Sequence, residues 1–230
     1  NTESAMHWGV KYEPVTVMIY EDMFNTEVGE FGCIQHPEYP FIGASPDGIN
    51  IDPTSNIYGR MVEIKNVVNR ELTGIPKEDY WIQTQVQMET CDLDECDFIE
   101  TKCMEYQDEK SFYEDETRDY KGVILHFIEN GNEYCSPTYS YMPLSIELNK
   151  VTIEDWIQKE KLKYSLENKA LLNIAYWYLE EYSCVVIKRN KLWFDKALPL
   201  VKDIWNTILK ERIDGYEHRA AKKRSPSIVL

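Results

Sequence analysis

The stretch that decides the fold is residues 41–65, FIGASPDGINIDPTSNIYGRMVEIK. Pro46-Asp47-Gly48 indicates a tight turn, because Pro presets φ and Gly accepts a positive φ. Glu63 and Lys65 stand two residues apart on the strand that follows, so their side chains point to one face and Ile64 points to the other. If the two flanking strands pair, Asp47 joins that face. The stretch therefore predicts two carboxylates and an ammonium at one place.

Carboxylates placed so close together repel each other unless a cation lies between them, and Mg²⁺ is a hard cation that prefers oxygen ligands. Alone, the turn is typical of any hairpin, and a Glu and a Lys two apart usually form a solvated cross-strand pair. Their order is more informative: a turn Asp, a short gap and then Glu-Ile-Lys on a strand are the PD-(D/E)xK nuclease pattern.

Composition predicts one domain of ordinary size. With 230 residues and 43% apolar residues the chain can bury a real core. We expect an α+β (α/β) fold with a restriction-endonuclease-like PD-(D/E)xK core, in which helices flank a central mixed β-sheet. The nuclease domain with its C-terminal helices is predicted over residues 1–215, and a basic, mobile tail over 216–230. No apolar run of about 18 residues predicts a membrane span, and no signal peptide is recognisable.

Charge and cysteines limit the functions that the chain can have. A net charge of −15 argues against a generic DNA-binding protein, because phosphate contacts need Lys and Arg. Two acidic runs, 92–100 and 105–119, are expected to be solvated faces away from any DNA. Cys91, Cys96 and Cys103 could in principle hold a metal cluster. The favoured interpretation is free thiols in a reducing intracellular compartment.

Hydrophobic periodicity predicts the secondary structure. Pro14 argues against a continuous N-terminal helix, since an interior Pro destabilises a helix by about 3 kcal/mol. In the helix over 78–91, Tyr80, Gln83 and Gln87 share one face and Gln85 points elsewhere. Residues 134–143 are expected to be irregular. Helices are predicted over 5–24, 78–91, 151–181 and 191–211, and strands over 31–39, 41–52, 58–68, 98–102, 122–129 and 184–187.

The combination of motifs resembles the lambda exonuclease/YqaJ-type family of recombination nucleases. The matching pieces are AMHWGVKYEP, ASPDG, VEIK, YWIQTQVQM and CVVIKRN. The resemblance implies that Asp47 and Glu63 bind the catalytic metal with the backbone carbonyl of Ile64. Glu13 would bind a second metal or its water, and Lys65 would orient or activate the attacking water.

Further roles are implied for residues that would contact the DNA. Gln83 would hold the DNA backbone or the nucleophile, and Ser45 would contact a terminal 5′-phosphate. In the family an N-terminal segment completes this phosphate pocket with Arg and Ser. The present sequence does not include that segment, so an incomplete or differently built pocket is expected. Further candidates for phosphate contacts are Gln87, Arg60, Arg70, Lys77, Lys188 and Arg189.

The resemblance implies a Mg²⁺-dependent exonuclease, in which Mn²⁺ can substitute, acting 5′→3′ on linear double-stranded DNA in viral or phage-type recombination and repair. Its partners would be duplex DNA ends and a single-strand-annealing protein, and a ring-shaped homotrimer is possible in this family. The composition favours a large eukaryotic virus as the source, which would place the chain in the host cytoplasm or a viral factory. Two alternatives stay open. One is a structure-specific endonuclease on the same core, and the other is a noncatalytic scaffold that binds an annealing or replication partner.

Overall fold

The computed structural model describes residues 4–129 and 136–221. Its helices are α1 Ala5–Phe24, α2 Glu78–Cys91, α3 Glu109–Glu114, α4 Lys150–Leu166 and α5 Lys191–Asp214. The strands are β1 Val28–Gly29, β2 Ile34–Gln35, β3 Gly43–Ala44, β4 Gly48–Asn50, β5 Met61–Asn66, β6 Glu95–Glu105, β7 Lys121–Glu129, β8 Thr138–Tyr141 and β9 Lys169–Lys188.

A mixed, seven-stranded sheet forms the centre of the molecule. Its strand order is β1-β4-β5-β6-β9-β7-β8. β5 and β6 run parallel, and the other neighbouring strands in this sheet are antiparallel. β2 and β3 form a separate antiparallel pair. This arrangement confirms the predicted α+β fold with a central mixed sheet and flanking helices.

α1 covers one face of the sheet with the predicted helical period. Tyr12, Val15 and Ile19 are fully buried and pack with Trp177 of β9. The helix continues through Pro14. Pro14 removes the donor that the carbonyl of Val10 would otherwise receive. Val10 is 65% exposed, so solvent can satisfy that carbonyl.

β5 separates two layers of the core. Val62 and Ile64 pack in the cluster that contains Tyr20 of α1. Met61, on the opposite side, packs with Met88 of α2. Because side chains alternate along a strand, Glu63 and Lys65 share the side of Met61. The fold therefore places the predicted catalytic side chains between β5 and α2.

The predicted helix over 151–181 is wrong in its second half. α4 ends at Leu166, and Asn168 adopts a left-handed conformation with φ 61°, after which β9 begins. Asn is one of the few non-Gly residues that adopt this conformation readily. Leu162 and Leu166 of α4 are exposed, whereas Ile153 and Ile157 are buried. The predicted strand over 184–187 is only the end of the 20-residue β9.

Several other boundaries differ from the predictions. The strand predicted over 31–39 shortens to β2, and the strand over 41–52 is interrupted at the Asp47 turn into β3 and β4. The strand over 98–102 extends to the 11 residues of β6. β8 replaces part of the segment expected to be irregular, of which 134–135 lie outside the described residues. α5 runs through Pro199 to Asp214.

We expected both acidic runs to be solvated faces, and this prediction is wrong in part. Asp97 and Glu100 of β6 are each 2% exposed, because Arg60 pairs with Asp97 and Arg70 pairs with Glu100. The second run contributes Phe112 of α3 to the core, where it is fully buried. Ion pairs therefore allow part of the first run to be buried, and an aromatic side chain anchors the second run in the core.

Two remaining predictions concern the chain ends and membranes. Of the predicted tail over 216–230, residues 222–230 lie outside the described part, and Glu217–Arg219 form a 3₁₀ turn. No helix among the described residues has the length and apolar character needed to cross a membrane. Cys33, Cys91, Cys96, Cys103 and Cys184 are free thiols.

Candidate active site

The turn between β3 and β4 places Asp47 beside β5. β4 pairs antiparallel with β5, and Gly48 lies opposite Val62. The Asp47 carboxylate accepts a hydrogen bond from the backbone N–H of Ile64, with an N···O distance of 2.6 Å. This bond fixes the carboxylate against the strand that carries Glu63 and Lys65. The pairing on which the sequence argument depended is therefore present.

Glu63 is the fully buried centre of the site. Its carboxylate accepts hydrogen bonds from the amide groups of Gln83, at 2.7 Å, and Gln87, at 2.8 Å. It also forms an ion pair with the ammonium of Lys65. A buried carboxylate is costly unless it is paired and hydrogen-bonded. These three donors explain how Glu63 is accommodated with no exposed side-chain surface.

The electrostatics of Asp47 indicate that the site is short of positive charge. Burial and the nearby carboxylates of Glu63 and Glu13 together raise the pKa of Asp47 to about 7, against the opposing effects of the Ile64 N–H hydrogen bond and of Lys65. Burial and the carboxylates of Glu30 and Glu63 also raise the pKa of Glu13. A divalent cation between these groups would relieve the repulsion, since it stabilises the charged carboxylates.

The donor set fits a hard metal ion, although side chains alone do not complete it. Within residues 4–129 and 136–221, no three His, Cys, Asp or Glu side chains are arranged to hold a metal ion. Glu13 lies at an exposed position of α1. A metal held by Asp47 and Glu63 would therefore need further oxygens, for which the Ile64 carbonyl and water are suited. The side-chain oxygen of Gln87 is a buried acceptor without a partner, which adds a polar group at this place.

Gln87 connects the segment of the Asp47 turn with β5, the strand that carries Glu63. Its amide group donates to the backbone carbonyl of Ser45 at 3.2 Å as well as to Glu63. Ser45 itself is exposed in the turn. Gln85 points away from the site, as predicted: it donates to the carbonyl of Lys188 at 3.0 Å and accepts from the N–H of Asn190 at 2.6 Å. α2 thus holds the site with one side and the end of β9 with the other.

Two of the candidate phosphate contacts are used inside the protein. Arg60 pairs with Glu95 at 2.7 Å and with Asp97 at 3.3 Å. Arg189, whose side chain is 7% exposed, pairs with Glu89 and Asp92. Because each guanidinium group pairs with two carboxylates of the chain, we no longer propose either of them as a DNA contact. Lys188 is exposed at the end of β9.

Sequence reasoning assigned no role to Tyr80. Its ring lies 5.2 Å from the Lys65 ammonium, on the same helix that carries Gln83 and Gln87. The spacing i, i+3, i+7 had placed Tyr80 on the face of these two glutamines. That signal indicated its position, whereas its contact with the cation depends on the pairing of α2 with β5.

Replacing Gln87 should weaken the site without removing a proposed metal ligand. We expect Gln87→Leu to lower DNA cleavage about 10- to 100-fold, the range found for groups that orient metal-binding side chains. The loss should shrink as Mg²⁺ is raised, because the substitution removes the donor that orients Glu63. Cleavage measured across a Mg²⁺ titration tests this, with the exposed Gln158→Leu of α4 as the matched control. An equal rate for Gln87→Leu and Gln158→Leu would contradict the role.

Comparison with known proteins agrees with the resemblance that the motifs predicted. Residues 1–94 match the family model described as a YqaJ-like viral recombinase domain. This part of the chain is therefore similar to the YqaJ-type family. The match includes Glu13, Asp47, Glu63, Lys65 and the glutamines of α2.

Similar proteins come from a virus and a bacterium. The chain is 32% identical over 237 residues to "Uncharacterized protein R354" of Acanthamoeba polyphaga mimivirus, covering 89% of this chain and 43% of that protein. The chain thus spans less than half the length of this curated relative.

Two solved structures are similar at low identity. LHK-Exo in complex with dAMP has a TM-score of 0.48 at 20% identity, over 95% of this chain and 74% of that chain. LHK-Exo described as an alkaline exonuclease from Laribacter hongkongensis has a TM-score of 0.37 at 21% identity, over 73% of this chain and 70% of that chain.

Proposed function

We propose that this chain is a metal-dependent deoxyribonuclease that hydrolyses phosphodiester bonds during DNA recombination. One observation carries the proposal: the fold brings Asp47, Glu63 and Lys65 together at one place, with two glutamines of α2 donating to Glu63. A structural ion pair would need neither the second carboxylate nor both amides. Burial and the repulsion from neighbouring carboxylates raise the pKa of Asp47, and both favour a cation at the same place.

Mg²⁺ is the ion that we propose, and Mn²⁺ suits the same oxygen ligands. When bound, such an ion lowers the pKa of water and stabilises negative charge on a phosphoryl oxygen. Asp47, Glu63 and the Ile64 carbonyl would hold it. Glu13 would serve a second ion or its water.

The other residues of the site have distinct tasks. Lys65 lies between Glu63 and the ring of Tyr80, where its ammonium can orient the attacking water and stabilise charge that develops on the phosphate. Gln83 has a second amide hydrogen and a carbonyl oxygen beyond its bond to Glu63, with which it can position the DNA backbone or the water. Ser45, which is exposed two residues before Asp47, would contact a terminal 5′-phosphate.

The substrate and setting that we propose follow from the YqaJ-like domain. The chain would act as an exonuclease, 5′→3′, on the ends of linear double-stranded DNA. Residues 1–215 would form the working nuclease unit. A single-strand-annealing protein would take up the product strand, and copies of the chain could assemble around the DNA as a ring. The setting would be a viral genome replicated in a reducing compartment of the host cell, and repair of broken ends would use the same reaction.

Digestion of matched substrates tests the proposal. We expect linear duplex with a 5′-phosphate to be degraded with Mg²⁺ and to survive in EDTA, because the site needs a cation. Linear duplex with a 5′-hydroxyl should be degraded more slowly, and closed circular duplex should survive. Gel electrophoresis with an end label on either strand gives the direction.

Other outcomes of the digestion identify the alternatives. Nicking of the circle would make the chain an endonuclease on the same core. Failure to cleave any substrate, together with no Mg²⁺ or Mn²⁺ binding by calorimetry, would contradict the nuclease and favour a scaffold that binds an annealing or replication partner.

A further inference from the structure

Three cations surround the ring of Tyr80 at the edge of the candidate active site. The Lys65 ammonium lies 5.2 Å from the ring centre, and the Arg70 guanidinium and Lys77 ammonium each lie 6.0 Å from it. No two of these charges are more than about 12 Å apart, because each lies within 6.0 Å of the ring centre. The three cations therefore share one small area of the protein. We call Lys65, Arg70, Lys77 and Tyr80 the Tyr80 cluster.

Ring packing and ion pairs with buried residues hold the Tyr80 cluster in position. Tyr80 packs against Phe98 of β6, which is fully buried, with ring centres 5.7 Å apart. Arg70 is anchored by the buried Glu100, and Lys65 by the buried Glu63. The Arg70 and Lys65 side chains still expose 28% and 23% of their surface. A fixed aromatic ring thus carries cations that remain accessible from solvent.

Ordinary stability does not account for the third cation. An exposed cation–π contact contributes about 0.5–1 kcal/mol, and neighbouring like charges oppose each other. Lys77 is also the N-cap residue of α2, where its side chain makes no capping hydrogen bond. Ser, Thr, Asp or Asn would stabilise this helix end, and a cation there opposes the positive end of the helix dipole. Departures from local rules of this kind are expected where function requires them.

We infer that the Tyr80 cluster binds a backbone phosphate of the substrate DNA, next to the phosphate that is cleaved. This inference rests on the proposed function and extends it to two residues, Arg70 and Lys77, outside the carboxylate site. Lys65 joins the two places, because it contacts both Glu63 and the ring of Tyr80. A phosphate here could accept hydrogen bonds from Lys77, which is exposed, and from the accessible parts of Arg70 and Lys65.

The salt dependence of DNA binding tests the inference. Each phosphate contact that is lost should lower the slope of log K against log salt by about 0.9 for duplex DNA. The Asp47→Asn chain serves as the starting protein, since it should bind without cutting. We expect Lys77→Ala and Arg70→Gln each to weaken binding and to reduce the slope by about 0.9. Fluorescence anisotropy of a labelled duplex, at several NaCl concentrations with Ca²⁺ present, measures both quantities.

Matched controls separate this effect from a general loss of charge. Lys110→Ala and Lys159→Ala remove exposed lysines that pair with neighbours on α3 and α4, and should leave the slope unchanged. Arg70→Gln keeps a donor for Glu100, and circular dichroism checks that each variant folds. An unchanged slope for both Lys77→Ala and Arg70→Gln, in a chain that binds DNA, would overturn this inference but would leave the proposed function in place. Failure of the Asp47→Asn chain to bind DNA, with no cleavage by the unaltered chain, would overturn the proposed function as well.

Discussion

Asp47→Asn is expected to abolish DNA cleavage while the fold persists. The loss should exceed the roughly 10- to 100-fold effect of removing a group that only orients a metal ligand, because Asp47 is one of the two carboxylates that would hold the ion. Asn keeps an oxygen that can accept the hydrogen bond from Ile64 N–H. Initial rates on linear duplex with saturating Mg²⁺ measure the loss. A rate within tenfold of the unaltered chain would show that Asp47 is not a metal ligand.

The same substitution should stabilise the metal-free protein at neutral and alkaline pH. The pKa of Asp47 in the folded chain is raised from 3.8 to about 7, so the folded state binds this proton more tightly than the unfolded state does. The free energy of unfolding therefore falls as pH rises from about 4 to about 7, and the penalty stays above that range. Asn has no charge to bury and lacks the penalty.

Melting temperatures in EDTA between pH 4 and pH 9 test the direction of this pH dependence of stability. The difference in Tm between Asp47→Asn and the unaltered chain should grow with pH and level off above pH 7. Saturating Mg²⁺ should reduce the difference, since the ion offsets the same repulsion. Parallel curves in EDTA would mean that Asp47 is not under electrostatic strain.

Lys65→Ala is expected to remove cleavage and, unlike Asp47→Asn, to destabilise the fold. Glu63 is fully buried, and Lys65 is its ion-pair partner. Removing one partner of a buried pair costs about 3–5 kcal/mol when nothing else compensates. The amides of Gln83 and Gln87 still donate to Glu63, so we expect the lower end of that range. Urea denaturation in EDTA measures the change.

A double substitution distinguishes this explanation from a general packing defect. Adding Glu63→Gln to Lys65→Ala removes the unpaired buried charge, and should recover most of the lost free energy of unfolding without recovering cleavage. If the double variant lost as much free energy of unfolding as the two single variants together, the electrostatic explanation would be contradicted. Lys102→Ala, which breaks an ion pair of β6 with β9 between partly exposed side chains, is the control and should change stability by less than about 1 kcal/mol.

The centre of the site could be predicted from the sequence because local geometry determines it. The turn at Asp47 and the alternation of Glu63 and Lys65 follow from a tight turn and the two-residue period of a strand. The face shared by Gln83 and Gln87 follows from the period of a helix. Only the pairing of β4 with β5 and the docking of α2 needed the structure, and both bring these residues together as the pattern required.

Long-range pairing explains what could not be predicted. Residues 169–188 contain Leu, Ala and Glu, which suit a helix, beside aromatic and β-branched residues, which suit a strand. They form β9 because it fills the space between β6 and β7. Arg60 was predicted as a candidate phosphate contact, but it pairs with Asp97, which is distant in sequence and buried. The cations around Tyr80 come from β5, the loop after it and the start of α2, so no single spacing indicates them.

The most direct test of the central claim compares two proteins on one substrate. The unaltered chain and Asp47→Asn are incubated with a 5′-phosphorylated, end-labelled linear duplex, first with Mg²⁺ and then with excess EDTA. Loss of the duplex only with the unaltered chain and only with Mg²⁺ is the result that the proposed site predicts. Equal degradation by Asp47→Asn, or degradation that continues in EDTA, would contradict a metal-dependent nuclease centred on Asp47 and Glu63.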